Sequence, residues 1–277
     1  MEKVKCPLCP HHCSLAQGQT GICKARKNDN GRIVSQNYGL MTSLALDPVE
    51  KKPLYHFHPG SFILSAGSFG CNMRCPFCQN YQISQADSST HYRKIMPEEL
   101  VSLALKLKNE SLGNIGVAFT YNEPLVSYEY ILDTSRLLHE SDLLCVLVTN
   151  GQICREPLRE LLPHIDAMNI DLKAFSADFY RYAGGDFQTT LDCIKTAAAQ
   201  CHIEITTLII PGKNDSSEEM ELEARFIAGI SKDIPLHLTR FFPRYKETQL
   251  SPTPVESLTT LAAVASRYLK HVHLGNV

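Results

Sequence analysis

Very little net charge is carried by this chain of 277 residues, whose 27 Lys and Arg nearly balance 29 Asp and Glu for a formal −2. No electrostatic case therefore exists for a nucleic acid or an anionic membrane as main partner. Long apolar runs are also missing. No stretch of about 18 apolar residues occurs, which argues against a membrane-spanning helix. The opening MEKVKCPLCP has no apolar signal region. We expect a cytoplasmic protein. Neither an internal repeat nor a low-complexity linker interrupts the chain.

Cysteine, by contrast, is abundant, with eleven residues. A secreted disulfide framework would explain such a count, but the chain is long for one and has no signal region. Seven of the eleven fall into two tight groups, Cys6, Cys9, Cys13 and Cys23, then Cys71, Cys75 and Cys78. Close spacing lets thiolates converge on one metal ion or cluster, which disulfides do not require. Cys145 lies inside an apolar run and reads as core; Cys154, Cys193 and Cys201 read as small hydrophobes.

The chain divides by pattern. Residues 1–60 form a Cys-rich segment and a lead-in, the latter irregular with at most short strands. From residue 61 to 277 apolar runs of strand length alternate with amphipathic helices. The expected strands are 62–66, 115–120, 143–149, 167–171, 203–210 and 236–241, with 271–274 as a seventh. Pro97 opens a helix with Leu100, Leu103, Ala104 and Leu107 at helical spacing. Ser216 and Glu219 read as a capping box, and Thr253, Pro254 and Glu256 open the last helix. Alternating strands and helices imply right-handed crossovers and a parallel sheet. Six units suggest a partial (β/α)6 barrel of the TIM type, although periodicity alone leaves an open doubly wound sheet as the alternative.

The sequence Gly70-Cys71-Asn72-Met73-Arg74-Cys75-Pro76-Phe77-Cys78 follows the first barrel strand with the spacing C-x3-C-x2-C. In a parallel barrel the loop after a strand lies on the face where active sites are built. Three thiolates leave one iron of a [4Fe–4S] cluster open, whereas four make a closed, electron-transferring centre. An open iron can chelate the amino and carboxylate groups of S-adenosylmethionine, and one electron then breaks a sulfonium–carbon bond to give a 5′-deoxyadenosyl radical. A structural zinc site would need a fourth ligand, and none follows at short spacing, His91 being the nearest.

Cys6, Cys9, Cys13 and Cys23 have the spacing C-x2-C-x3-C-x9-C on a segment with little apolar content. Four soft thiolates there favour a structural Zn²⁺ that supplies missing folding energy, with a second iron–sulfur cluster as the rival. His11 or His12 could replace one thiolate. His56 and His58 either close over the cluster or bind substrate, or else lie on an exposed strand face. Gly184-Gly185 is either a flexible substrate loop or a helix stop.

At the three-cysteine loop the sequence resembles the radical SAM superfamily, whose signature C-x3-C-x-aromatic-C is completed by Phe77. It looks most like the branch of pyruvate formate-lyase-activating enzymes, and within it the AmmeMemoRadiSam system radical SAM enzymes. The stretches CPLCPHHC, DPVEKKPLYHFHPG, GCNMRCPFCQNYQIS, TYNEP, NIDLKAF, IIPGKND and HLGNV carry that closer likeness. The resemblance implies a [4Fe–4S] cluster on Cys71, Cys75 and Cys78, and S-adenosylmethionine held by Phe77, Glu123, Asn150, Asp171, Lys173 and His237. From the residues alone, Glu123 reads equally as a buried capping carboxylate. Asp171 and Lys173 share a strand face and could be a solvent-exposed salt bridge, and Arg240 binds substrate or caps a strand end. Val148 stands where the activating enzymes have an aspartate, and the Gly-rich Arg segment that precedes their cysteine loop is absent. The resemblance further implies a flavodoxin- or ferredoxin-type electron donor and partners of the Memo-like and AMMECR-like types. A non-catalytic electron carrier or zinc-ribbon protein is the reading from another class.

Overall fold

The computed structural model describes residues 3–110 and 113–277. One sheet of eight strands organises it: β1 (Ser43–Pro48), β2 (Phe62–Gly67), β3 (Asn114–Phe119), β4 (Leu144–Thr149), β5 (Ala167–Asp171), β6 (His202–Ile209), β7 (Leu236–Arg240) and β8 (Val272–Gly275). The strands lie side by side in chain order. β1 is antiparallel to β2, and every other pair is parallel. Right-handed crossovers that never reverse direction place all the helices on one face. A doubly wound sheet needs a reversal, so that alternative is excluded. β1 and β8 are the two edges and do not pair, which makes the barrel partial.

Among the described residues seven helices longer than one turn follow the strands: α1 (Pro97–Lys108), α2 (Tyr128–Glu140), α3 (Arg155–Leu161), α4 (Ala177–Ala183), α5 (Phe187–Ala198), α6 (Ser217–Ile230) and α7 (Val255–Ala265), with α4 packing against the loop after β2. Alternation along each strand sends one set of side chains to them and the other to the barrel interior. On β6, Ile203, Ile205 and Ile209 join the main core under the helices, while Thr206 and Leu208 line the interior cavity. Among the described residues no helix is long and apolar enough to cross a membrane.

The lead-in is less irregular than its sequence suggests. Ser43–Pro48 is a full strand, and residues 49–58 then pass beneath the barrel as a strap. Val49, Leu54 and Phe57 pack on Ile63, Ala118, Val146 and Ala167, filling the interior floor. The backbone N–H groups of Tyr55 and His56 donate to Glu204 at 3.0 and 2.7 Å. His56 Nε2 meets His273 Nε2 at 2.9 Å, so the strap joins the two edges of the sheet from below. His56 and His58 therefore lie at the floor and do not close over the cysteine loop.

Candidate functional site

Cys71, Cys75 and Cys78 sit on the loop leaving β2, and all three line one interior cavity of about 560 Å³. The loop is held from several sides. Met73 N donates to Cys71 Sγ at 3.3 Å, and Cys78 Sγ lies 3.2 Å from Ser84 Oγ. Arg74 N donates to Ala183 O at 2.8 Å, which fixes the loop to the end of α4. Gly184 stops that helix with φ +74°, and a Cβ on Gly185 would come within 2.7 Å of Met73. Gly184 is thus the left-handed helix stop, and Gly185 leaves room for the end of the Met73 side chain. Phe77 is buried between the loop and α4, with its ring centroid 5.7 Å from that of Phe179.

The strand ends supply the polar walls. Glu123, only 3% exposed, accepts from Thr149 Oγ1 at 2.6 Å, Asn150 N at 2.8 Å and Leu125 N at 3.0 Å. It therefore caps the turn Pro124–Ser127 and fastens β3 to β4, leaving one of about four lone-pair directions free. Burial raises its carboxyl to about 7 in spite of those three donors. Asn150 Nδ2 donates to Asn72 Oδ1 at 3.0 Å and lies 3.7 Å from Cys71 Sγ, so it borders a thiol ligand. Lys173 Nζ pairs with Asp171 Oδ2 at 2.8 Å, and both line the cavity, which removes the reading of a surface salt bridge. Burial works against the charge on Lys173, but Asp171 and then Cys75 outweigh it and push its pKa up.

His237 also lines the cavity, at its lower end. Its Nε2 bonds Glu204 Oε2 at 2.6 Å, and its ring packs edge-on against Tyr55 at 4.7 Å. It is anchored to the floor as much as it is open to a ligand. Arg240 caps its strand end, donating from Nε to Thr253 O at 2.7 Å. Tyr55, Thr206 and Thr239 also line the cavity and were given no role from sequence, and Tyr121 and Asn276, from the TYNEP and HLGNV stretches, join them. Alternation carried a signal for two of them, since Thr206 follows Glu204 and Thr239 follows His237 by two positions. A groove of about 710 Å³ between α6 and α7 is larger, but it lies on the outer helical face and holds no cysteine.

The donor set suits a cluster. Burial pushes the Cys71 thiol well above its usual range and Cys75 to about 11, so deprotonating these two would be costly without a bound cation. Among the described residues no three Cys, His, Asp or Glu side chains are closed around a single-ion position.

A family-wide pattern described as the radical SAM superfamily matches residues 67–224, more than half of the chain. This chain belongs to the radical SAM superfamily. A radical SAM protein is expected to use a [4Fe–4S] cluster and S-adenosylmethionine, and the residues described here fit both. An uncharacterized protein of Methanocaldococcus jannaschii is 40% identical over 99% of this chain and 82% of its own length. The pyruvate formate-lyase-activating enzyme of Clostridium pasteurianum is 26% identical over 58% of this chain and 67% of its own. Among solved structures, a radical SAM methyltransferase from Sphaerobacter thermophilus superposes with a TM-score of 0.61. It covers 79% of this chain and 67% of that one at 15% identity, and so supports the shared radical SAM fold alone.

The N-terminal cysteines also come together. Cys6, Cys9, Cys13 and Cys23 surround a closed space of about 10 Å³, and burial pushes Cys9 up to about 12. Arg26 lines the same space and is bonded to Glu129; its Nε is buried without a partner. His11 and His12 turn elsewhere, to Asn72 O at 2.7 Å and Cys6 O at 3.4 Å, so neither stands in for a thiolate.

Proposed function

We propose that this protein cleaves S-adenosylmethionine reductively on a [4Fe–4S] cluster held by Cys71, Cys75 and Cys78, and uses the product to take hydrogen from a substrate. The observation that carries this reading is the meeting of three thiols with Glu123, Asn150, Asp171 and Lys173 in one interior cavity. When bound, the cluster and S-adenosylmethionine supply a 5′-deoxyadenosyl radical. The chain's part is orientation and exclusion of water. Asn150 borders the Cys71 sulfur, the field of Lys173 acts on Cys75, and the remaining lone pair of Glu123 suits an ammonium group. Phe77 and the floor strap keep the cavity lined and closed from below.

The test is spectroscopic. In the anaerobically reconstituted, reduced protein, added S-adenosylmethionine should change the EPR spectrum of the cluster. A spectrum that ignores it would favour a closed electron carrier.

Electrons from a flavodoxin- or ferredoxin-type donor, in the cytoplasm, belong to the same reading. Memo-like and AMMECR-like partners rest on the AmmeMemoRadiSam likeness. The activating-enzyme relative makes activation of a glycyl-radical enzyme the second reading, against which stands the missing Gly-rich Arg segment before Cys71. At the N-terminal cysteines we infer a structural Zn²⁺. That reading rests on four thiols facing one small space beside the Arg26 guanidinium, which would have to draw together around an ion because they are not closed on a single-ion position as they stand.

A further inference from the structure

Two metal-type cysteine groups, 48 residues apart between Cys23 and Cys71, are in direct contact through the backbone. Gly70 immediately precedes Cys71 and has φ +90°. A Cβ there would lie 2.5 Å from Cys23 O and 3.2 Å from Ala25 Cβ, so the two chains touch where a side chain would stand. Two residues on, Asn72 O accepts a hydrogen bond from His11 Nε2 at 2.7 Å. A carbonyl cannot donate, so Nε2 carries the proton.

Asn72 is the hub of this contact. It is 1% exposed. Its Nδ2 donates to Gln152 O at 2.7 Å, and its Oδ1 accepts from Asn150 Nδ2 at 3.0 Å. The same Asn150 amide lies 3.7 Å from Cys71 Sγ. A continuous chain of contacts therefore runs from His11, through Asn72 and Asn150, to a sulfur of the three-cysteine group. His11 itself lies between Cys9 and Cys13, so metal binding by those two thiols fixes its reach. Further bonds seat the segment as one body: Cys154 N donates to Leu8 O at 2.9 Å, and Lys24 Nζ to Gln85 O at 2.6 Å.

We propose that the N-terminal four-cysteine module is the footing of the cluster loop, with His11 as its positioning residue. The inference rests on the metal assignments made above. Its consequence is that the two centres are linked. His11 sets Asn72, Asn72 sets the Asn150 amide, and that amide acts on the Cys71 thiolate. Outer partners of this kind typically change metal affinity about 10–100-fold when removed.

The experiment compares the reconstituted full-length protein with His11→Ala and His11→Gln, the glutamine placing an N–H near the position of Nε2. We expect His11→Ala to retain N-terminal metal and its unfolding temperature. It should lose cluster iron to a chelator about tenfold faster or more and show a shifted EPR signal in the reduced state. His11→Gln should restore both. Iron loss and EPR in His11→Ala identical to the unaltered protein would overturn the proposal. So would equal damage in both variants with a lowered unfolding temperature, because that is loss of fold and not of positioning. Failure of S-adenosylmethionine to perturb the cluster in the unaltered protein would instead overturn the proposed function, while iron retention would still test the footing.

Discussion

Two buried glutamates illustrate how single residues divide their labour. Glu204 accepts from four donors: the backbones of Tyr55 and His56, and the rings of His202 and His237. Burial alone would raise its carboxyl, but these bonds win and hold it at about 2. The folded pKa is depressed, so its stabilisation is present above about 4.5 and is lost as pH falls toward 2. The size is on the order of 3 kcal/mol. We predict that Glu204→Gln flattens the acid limb of stability measured by chemical denaturation between pH 5 and 3. Glu223 on α6 behaves oppositely. Thr207 has a single proton and two neighbours, Leu172 O at 2.9 Å and Glu223 Oε1 at 2.5 Å, so a protonated Glu223 can donate in its turn. Burial raises it to about 8. A raised acid binds more protons folded than unfolded, so stability falls as pH climbs from about 4.5 to 8. Glu223→Gln should remove that slope, and an unchanged slope would refute the assignment. The site role of Asp171 and Lys173 was implied by the resemblance, since the residues alone also read as a surface salt bridge and Lys173 lies two positions beyond the end of β5. Glu204 was not legible, because its role depends on a strap nearly 150 residues away.

At the scale of elements, caps were readable only in part. Ser216 does cap α6, accepting from Glu219 N at 3.1 Å. The Glu219 carboxylate, however, reaches across to Phe175 N at 2.7 Å and does not complete a capping box. Likewise Thr253 does not cap α7. Its hydroxyl donates to Ile209 O at 2.6 Å and accepts from Phe241 N at 3.1 Å, tying β6 and β7 to the last helix. In each case a tertiary partner outcompeted the local one. The junction of α4 with the cysteine loop yields a sharper test. Gly184→Ala would hold a side chain at φ +74° with its Cβ 3.3 Å from the Arg74 backbone N, and a left-handed alanine costs about 1–2 kcal/mol. We predict a lower unfolding temperature and reduced iron uptake on reconstitution; unchanged values in both would show that the loop yields freely.

For the whole molecule, the parallel barrel was legible because six apolar runs alternate with helices, each long enough to reveal its period. The strand Ser43–Pro48 was read as a short strand at most, although Leu44 and Leu46 alternate with Ser43, Ala45 and Asp47; its two leucines are too short a run to separate it from irregular structure. The strap was missed because it fills the floor with only three apolar side chains, Val49, Leu54 and Phe57. The gathering of site residues at strand ends followed from barrel topology, but the contact between the two cysteine groups had no sequence signal beyond Gly70. What the fold as a whole provides is one interior cavity that brings the thiols, Glu123 and the Asp171–Lys173 pair together. Reductive cleavage of S-adenosylmethionine is therefore the property to measure. The protein is reconstituted anaerobically with iron and sulfide, treated with dithionite and S-adenosylmethionine, and assayed for 5′-deoxyadenosine beside a Cys71→Ala control. The account predicts 5′-deoxyadenosine from the cluster-loaded protein and none from the variant; a fully loaded cluster that gives no 5′-deoxyadenosine would contradict it.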